Sequence, residues 1–336
     1  MLRDGGDHPA APPRPGFWQM LGGAQGAWLL DNPAPTRADL AARFPLAPPD
    51  YAALAAPSPD HVQCVWLGHA SCLVQMEGVT FLTDPVFSQR ASPFQWAGPR
   101  RVVGNPLEPE DPGFPALDFV IVSHAHYDHL DAGSVRRLHG RWGDALTWYV
   151  PLGLRPWFRR AGVTNVVEMD WWQEARHPGS GVRVVMTPAQ HWANRLPVLV
   201  NRTLWGSFGV IGERGRFWFS GDTGYCPVFK EIGERYGPFD VAAVPIGAYD
   251  PRWFMAPQHC DPAEAVQIHQ DVRARVSVPI HWGTFVLTRE ALDEPPVLLG
   301  EALRAAKLTQ EEFRPLTHGE MVKVKHAGRR RGAGRG

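Results

Sequence analysis

Cysteine is scarce in this chain of 336 residues, and its four cysteines show no Cys-x-x-Cys spacing and no disulfide framework. Net charge is also absent, because 34 basic residues balance 34 acidic ones, so bulk electrostatics predict no nucleic-acid partner. No apolar run is long enough to span a bilayer, and the Pro- and Ala-rich start lacks the apolar core of a signal peptide. These absences predict a cytoplasmic protein without a transmembrane segment.

Composition favours one sizeable domain. Hydrophobic residues make up 44% of the chain, enough for a full core, and no linker divides it. We expect a domain over residues 61–324, a partly ordered extension over 1–60 and a basic tail over 325–336. Residues 323–336 hold six Lys or Arg and no acid. Such a tail can contact anionic lipid or RNA, but a disordered, solvated terminus is the simpler interpretation.

A dense group of potential metal ligands follows the apolar run 119–122. These ligands are His124, His126, Asp128 and His129. Imidazole nitrogen together with carboxylate oxygen suits zinc. A loop at the end of a strand can aim such side chains in two directions and so serve two adjacent metals. Three histidines scattered in an ordinary loop are the alternative, but the ordered His-x-His-x-Asp-His spacing favours a metal site.

Three further apolar runs, each typical of a strand, also end near a possible ligand. The residues that follow them are His191, Asp222 and His281. Sites at strand ends gain rigidity from the sheet while their loops carry the chemistry. Taken singly, His191 or His281 would more often be structural, but the repeated arrangement favours metal binding.

Local patterns also predict the neighbouring elements. An antiparallel meander is expected from three short apolar runs, at 62–67, 72–76 and 79–82. Helices are expected at about 131–139, at 227–236 and after a capping box at 261–264. The Pro- and Gly-rich stretch 85–115 is expected to be a long functional loop.

The ordered ligand set resembles that of the metallo-β-lactamase superfamily. Family-specific segments narrow the resemblance to N-acyl-phosphatidylethanolamine-hydrolysing phospholipase D, and they include 66–70, 81–85, 221–227, 249–255 and 280–285. The resemblance runs from about residue 62 to about residue 320. It implies an α/β (α+β) protein, an αββα sandwich of two mixed β-sheets flanked by helices, with residues 61–324 as its hydrolase domain.

The resemblance further implies two zinc ions per chain, although manganese or iron loading stays open. The implied ligands are His124, His126 and His191 on one ion, Asp128, His129 and His281 on the other, and Asp222 on both. A metal-bridging hydroxide would attack phosphorus and split N-acyl-phosphatidylethanolamine into N-acylethanolamine and phosphatidic acid. The alternatives are another phosphodiester, a thioester or a lactone as substrate, or a peripheral membrane or nucleic-acid binding protein that uses its basic tail.

Several residues outside the implied ligand set are candidates for further roles. Asp128 could orient the attacking hydroxide, besides its place as a ligand. His259 could stabilise the phosphoryl oxygens or protonate the leaving group, the alternative being an ordinary surface histidine ahead of a helix. His69 and Ser123 could support the ligands by hydrogen bonds or could be structural.

Candidate substrate-binding residues carry aromatic or polar groups suited to an amphiphilic ligand. They are Gln95, Trp96, Tyr127, Arg195, Trp253 and Gln258. Arg195 could anchor an anionic headgroup or could be an ordinary surface charge. The expected partner is a phospholipid, met by peripheral contact with the inner face of the membrane, and the resemblance suggests a homodimer.

Overall fold

The computed structural model describes residue 39 and residues 42–195 and 199–327. Its strands, in chain order, are β1 (His61–Gly68), β2 (Ser71–Met76), β3 (Val79–Thr83), β4 (Phe119–Ile121), β5 (Thr147–Pro151), β6 (Val166–Met169), β7 (Glu174–Arg176), β8 (Arg183–Thr187), β9 (Ser207–Ile211), β10 (Arg216–Phe219), β11 (Phe239–Pro245), β12 (Ala274–Ile280) and β13 (Met321–Lys325). Its helices are α1 (Tyr51–Ala55), α2 (Ala132–Trp142), α3 (Arg155–Arg160), α4 (Val228–Tyr236), α5 (Arg252–Met255), α6 (Pro262–Asp271) and α7 (Glu294–Ala306), with a 3₁₀ turn at Gly143–Ala145.

The strands form two mixed sheets. The first has the order β13-β1-β2-β3-β4-β5-β6, antiparallel from β13 to β3 and parallel from β3 to β6. The second has the order β12-β11-β10-β9-β8-β7, parallel from β12 to β10 and antiparallel beyond. Parallel strands place their carboxyl ends at one edge, so the loops that follow them can converge.

Side chains that alternate along β10 show how the layers pack. Phe217 belongs to the apolar core shared by the two sheets, where its ring meets Phe81 of β3 edge-on with centroids 5.5 Å apart. Trp218, the next residue, belongs to the core under the helices and meets Phe229 of α4 at 5.8 Å. A strand buried on both faces in this way reads as a continuous apolar run. The expected sandwich of two mixed sheets flanked by helices is confirmed.

The local predictions hold with small shifts of boundary. The meander is β1 to β3, and its turn residues Glu77 and Gly78 adopt positive φ angles of 47° and 81°. Helix α2 begins after Asp131, whose side chain accepts from two backbone N–H groups, but it continues to Trp142 rather than His139. Helix α4 begins one residue later than predicted, after Pro227.

The remaining predictions concern the capping box, the long loop and the chain ends. The capping box of α6 is present in full, and no helix or strand interrupts the loop 85–115. Strand β13 ends at Lys325, one residue inside the predicted tail. Residues 328–336 of that tail, and 1–38, 40 and 41 of the predicted extension, lie outside the described residues. None of the described helices is long and apolar enough to cross a membrane.

Candidate metal centre

Both sheets contribute strand ends to one cluster of imidazole and carboxylate groups. The first sheet supplies the loop 124–129 after β4, and the second supplies His191, Asp222 and His281 after β8, β10 and β12. Two of the sets of possible ligands in this cluster are His124, His126, His191 and Asp222, and His69, Asp128, His129 and His281, and within each set the ligand atoms lie within 4.8 Å of one another. All seven ligands implied by the resemblance therefore lie in two adjoining sets.

Asp222 occupies the centre of this cluster. Its Oδ2 lies 3.1 Å from Nε2 of His129, 3.8 Å from that of His124 and 3.7 Å from that of His191. Its Oδ1 lies 3.2 Å from Nε2 of His281. One buried carboxylate thus faces imidazoles of both sets, the position that a bridging ligand requires.

Asp128 faces a second group of imidazoles. Its Oδ2 lies 3.4 Å from Nε2 of His129 and 3.5 Å from Nε2 of His281. Nε2 of His69, from the turn between β1 and β2, lies 3.0 Å from the same oxygen. Asp128 retains 16% side-chain exposure whereas these imidazoles are buried, so it stands at the solvent-facing side of the cluster.

Outer hydrogen bonds fix which nitrogen of His124, His129 and His191 faces inward, whereas His126 presents Nδ1, which lies 2.8 Å from Nε2 of His124 and 3.2 Å from Nε2 of His191. Nδ1 of His191 donates to the carbonyl oxygen of Gln258 at 2.8 Å, and Nδ1 of His129 to Oδ2 of Asp84 at 2.6 Å. Nδ1 of His124 lies 2.9 Å from Oγ of Ser123, whose own proton goes to Asp84. These contacts leave the Nε2 lone pairs directed into the cluster, the usual arrangement behind metal-bound histidines.

Asp84 is the residue that the sequence reasoning missed. It is fully buried and accepts from His129, from the backbone N–H of Ser123 at 2.6 Å and from the Ser123 hydroxyl. A signal was available, because Asp84 follows β3 directly, as the ligands follow their strands. The segment 81–85, which contains Asp84, was noted only because it resembles a segment of the family. Ser123, in contrast, takes the supporting position that was one of its two interpretations.

Electrostatics at the site keep most imidazoles neutral. Burial lowers the pKa of five of them, which are His69, His124, His126, His191 and His259. The pKa falls to about 3 for His69 and to about 4 for His191. Burial also opposes the charge of His129 and His281, but Asp222 and Asp128 outweigh it, so the pKa of His129 lies well above its ordinary value and that of His281 rises to about 9. Neutral imidazole is the form that binds a metal.

The unpaired polar atoms test whether the site suits a metal. Three buried atoms that face one another across the cluster, Nε2 of His129, Nε2 of His281 and Oδ1 of Asp222, make no contact with hydrogen-bond geometry among the described residues. Buried polar groups are normally hydrogen-bonded, so such a concentration at one place calls for another partner. Nitrogen and carboxylate oxygen at this density match the ligand set of zinc.

His259 lies against the cluster, as its predicted role requires. Its ring is buried, with its centroid 5.1 Å from the ring of His191 and 5.2 Å from that of His281. Its Nδ1 has no hydrogen-bond partner among the described residues. The alternative of an ordinary surface histidine is wrong, while the chemical role of His259 stays a prediction.

Arg195 and Tyr127 are engaged with the ligand loop. The Arg195 guanidinium donates to the carbonyl oxygens of Ala125 and Leu130, at 2.9 Å and 2.7 Å, and lies 4.3 Å from the Tyr127 ring centroid. The Tyr127 hydroxyl donates to the carbonyl oxygen of Arg195 at 2.6 Å. The alternative of an ordinary surface charge is wrong for Arg195. Binding of a headgroup or amphiphilic effector by Arg195, and of substrate by Tyr127, stay predictions.

The other predicted substrate-binding residues fall into two settings. Gln258 is buried, and its carbonyl oxygen supports His191. Trp96 and Trp253 are 79% and 74% exposed, and Trp96 stacks on the neighbouring Phe94. Gln95 uses its side-chain amide within its own loop, where it pairs with the backbone N–H and carbonyl of Arg90. Substrate contact stays a prediction for all four.

An open cleft adjoins the cluster at His281. Its lining is mainly apolar, including Trp282, Phe285, Val286 and Leu287, with Glu290 and Thr288 as polar members. Apolar side chains therefore lie beside the candidate ligands, together with the carboxylate of Glu290.

Comparisons with known proteins agree with this arrangement. The profile of the "Beta-lactamase superfamily domain" matches residues 80–282. "N-acyl-phosphatidylethanolamine-hydrolyzing phospholipase D 1" of Caenorhabditis elegans is 46% identical over 266 residues, covering 76% of this chain and 74% of that protein. The Saccharomyces cerevisiae protein named "N-acyl-phosphatidylethanolamine-hydrolyzing phospholipase D, mitochondrial" is 35% identical over 235 residues, covering 68% of this chain but 49% of its own length. The solved structure of Igni18, a metallo hydrolase of the archaeon Ignicoccus hospitalis, has a TM-score of 0.59 at 21% identity, covering 79% of this chain and 99% of that one.

Proposed function

Because the chain belongs to the beta-lactamase superfamily and, within it, to the family of N-acyl-phosphatidylethanolamine-hydrolysing phospholipases D, we propose that it hydrolyses N-acylated phosphatidylethanolamine. The chain is a hydrolase, and the finer proposal concerns its substrate and its metal. Water would add to phosphorus, the bond between phosphorus and the ethanolamine oxygen would break, and N-acylethanolamine and phosphatidic acid would leave. The observation that carries the proposal is the Asp222 carboxylate, which faces imidazoles of both ligand sets.

We propose two zinc ions as the cofactor. One would be held by His124, His126 and His191, the other by Asp128, His129 and His281, with Asp222 shared by both. When bound, two such ions lower the pKa of water towards neutrality and neutralise charge on the phosphoryl oxygens. The unpaired buried atoms of this cluster support a cation there, and the neutral state of most of its imidazoles leaves their lone pairs free.

The chain's own residues would supply orientation and a proton. Asp128, at the solvent-facing side, can accept a hydrogen bond from the attacking water and direct its lone pair. The departing ethanolamine oxygen needs a proton as its bond to phosphorus breaks. His259 lies beside the cluster, and burial keeps its imidazole neutral in the free protein, so the negative charge of a bound phosphodiester would have to raise its pKa before it could give that proton or hold the phosphoryl oxygens by charge.

Two features support a lipid as substrate. Apolar side chains, including Trp282, Phe285 and Leu287, lie beside His281, where an acyl chain could contact them. Trp96 and Trp253 are exposed and amphipathic, as suits rings that meet a membrane interface. We therefore propose peripheral contact with the membrane, on its inner face if the protein is cytoplasmic. A homodimer is proposed on the resemblance alone.

The decisive experiment compares lipids and soluble esters. The purified protein, with its metals measured by elemental analysis, would be incubated with N-acyl-phosphatidylethanolamine, with unacylated phosphatidylethanolamine, and with an aryl phosphodiester, a thioester and a lactone. Mass spectrometry should detect N-acylethanolamine and phosphatidic acid in equal amounts from the first lipid. Turnover of only a thioester or a lactone would contradict the proposal.

A truncation tests the alternative in which the basic tail is the functional part. Deleting residues 328–336 leaves β13 intact, because that strand ends at Lys325. An enzyme should keep its turnover of the soluble phosphodiester after this deletion. A binding protein would show no turnover in either form.

A further inference from the structure

His69 stands in a strained turn that the fold holds from three sides. Its φ of 52° lies in the left-handed region, which a non-glycine residue adopts at a cost unless its surroundings fix it. Its backbone N–H donates to Oγ1 of Thr284 at 2.7 Å. Its carbonyl oxygen accepts from Nε1 of Trp66 and from the backbone N–H of His281, each at 2.9 Å. The turn is therefore tied to the segment that carries His281.

The side chain of His69 is fixed as firmly as its backbone. It is 2% exposed, and its ring lies 4.1 Å from the ring of His281 and 5.2 Å, edge-on, from Phe285. Among the described residues, the ring forms a single hydrogen bond, which joins its Nε2 to Oδ2 of Asp128 at 3.0 Å. An ionised carboxylate only accepts, so Nε2 must carry the proton and donate it.

We propose that His69 is a positioning residue, which sets the direction of the Asp128 carboxylate by donating its Nε2 proton to Oδ2. The proposal deepens the hydrolytic function proposed above and rests on it for the role of Asp128. Oδ2 also faces Nε2 of His129 and of His281, so its orientation decides how these three groups meet a cation. Without the donor, the partly exposed carboxylate could turn towards solvent.

A direct metal ligand is the competing role for His69, since it belongs to the same set of possible ligands. The geometry favours the positioning role. A nitrogen whose proton is donated to Asp128 has no lone pair to offer a cation. Asp128, His129 and His281, with Asp222, can complete a four-coordinate site without it.

Two amide substitutions separate these roles. The Nε2 of Gln reaches about as far as the Nε2 of His, whereas the amide of Asn is one methylene shorter, and neither amide is an ordinary zinc ligand. His69→Gln should keep the hydrogen bond to Asp128, and His69→Asn should lose it. Loss of a supporting hydrogen bond of this kind typically lowers metal affinity about 10–100-fold. We expect that loss in His69→Asn and affinity close to that of the parent in His69→Gln.

His269 provides a matched control. It is a buried histidine whose Nδ1 lies 2.8 Å from Oγ of Ser277 and whose ring stacks on Phe313, and it belongs to none of the candidate ligand sets among the described residues. His269→Asn and His269→Gln should lower thermal stability and leave metal affinity unchanged. The same measurements on these two variants show what a purely structural histidine does.

The measurement is zinc affinity by competition with a chelator, followed by kcat and KM for a soluble aryl phosphodiester. The expected result is rescue by Gln over Asn in both zinc affinity and kcat. Equal loss of zinc in the two variants would assign His69 as a ligand and overturn the proposal, as would parental affinity and kcat in His69→Asn. Zinc affinity is measured without substrate. A parent protein that leaves N-acyl-phosphatidylethanolamine intact would therefore refute the substrate proposal and not this one.

Discussion

Asp84→Asn tests whether the support behind His129 is as important as the structure indicates. Both oxygens of the Asp84 carboxylate are occupied, because Oδ1 accepts from the Ser123 N–H at 2.6 Å and Oδ2 accepts from Nδ1 of His129 at 2.6 Å and from the Ser123 hydroxyl. Asn has the same shape but presents one NH₂ group in place of one oxygen. In either orientation of the amide, its NH₂ group faces at least one buried donor, either the Ser123 N–H or Nδ1 of His129 with the Ser123 hydroxyl.

The size of the effect follows from these contacts. An unpaired buried donor costs about 1–3 kcal/mol of folding free energy. If the unpaired donor is Nδ1 of His129, the imidazole can turn, and loss of such support typically lowers metal affinity about 10–100-fold. That factor corresponds to about 1.4–2.8 kcal/mol of binding free energy. No cavity contributes, because the two side chains are isosteric.

Chelator competition and thermal unfolding, each on parent and variant, measure the two effects separately. Asp118→Asn is the matched control, because Oδ2 of Asp118 accepts from the backbone N–H of Thr80 at 2.7 Å. Asn keeps an acceptor oxygen for that N–H, so this variant should leave both the unfolding temperature and zinc affinity close to those of the parent. Parental zinc affinity in Asp84→Asn would refute the reasoning, since it would mean that His129 keeps its orientation without this carboxylate.

Three further predictions concern the same cluster. Asp222→Ala should abolish turnover and lower metal content, because one carboxylate serves both ions, and retention of about two zinc per chain with normal activity would contradict this. His259→Ala should lower kcat about 10²–10⁴-fold with normal zinc content. Rescue by an aryl phosphodiester would assign proton donation, equal loss would assign charge stabilisation, and a parental rate on lipid would leave His259 structural. The chelator-treated protein should lose unfolding temperature as pH falls from 7 to 5, because five buried histidines with lowered pKa stay neutral while their unfolded counterparts bind protons. It should also lose stability as pH rises towards 9, where His281, with its pKa raised to about 9, gives up its charge. A flat profile would contradict the assigned shifts.

The convergence of the candidate ligands was predictable because each of them follows a strand that is recognisable as an apolar run. The apolar runs before Asp222 and His281 mark buried strands of a mostly parallel region, and such strands bring their carboxyl ends to one edge. The number of possible ligands after those strands then indicates a metal site. Spacing alone did not divide the ligands between two ions, and the resemblance supplied that division.

Partnership between distant residues was not predictable in the same way. Asp84 meets His129 across 45 positions of sequence, and Thr284 meets His69 across 215. Periodicity states which face of a strand is buried but not which side chain lies opposite after the chain has crossed between sheets. Arg195 is a second case. In the sequence it could be an ordinary surface charge, but in the structure its guanidinium donates hydrogen bonds to two carbonyl oxygens, at Ala125 and Leu130, in and just after the loop 124–129.

The cluster buries polar side chains, whereas the rest of the core consists mainly of apolar ones. Most buried strand positions elsewhere carry apolar side chains, and β10 alternates between the two apolar layers up to Phe219. Three residues later Asp222 is buried among imidazoles, several of them without a hydrogen-bond partner in the described chain. Buried polar groups of this kind oppose folding unless something else satisfies them. The same residues that weaken the metal-free chain are those whose lone pairs converge, so cation binding and folding at this edge of the sheets are thermodynamically linked.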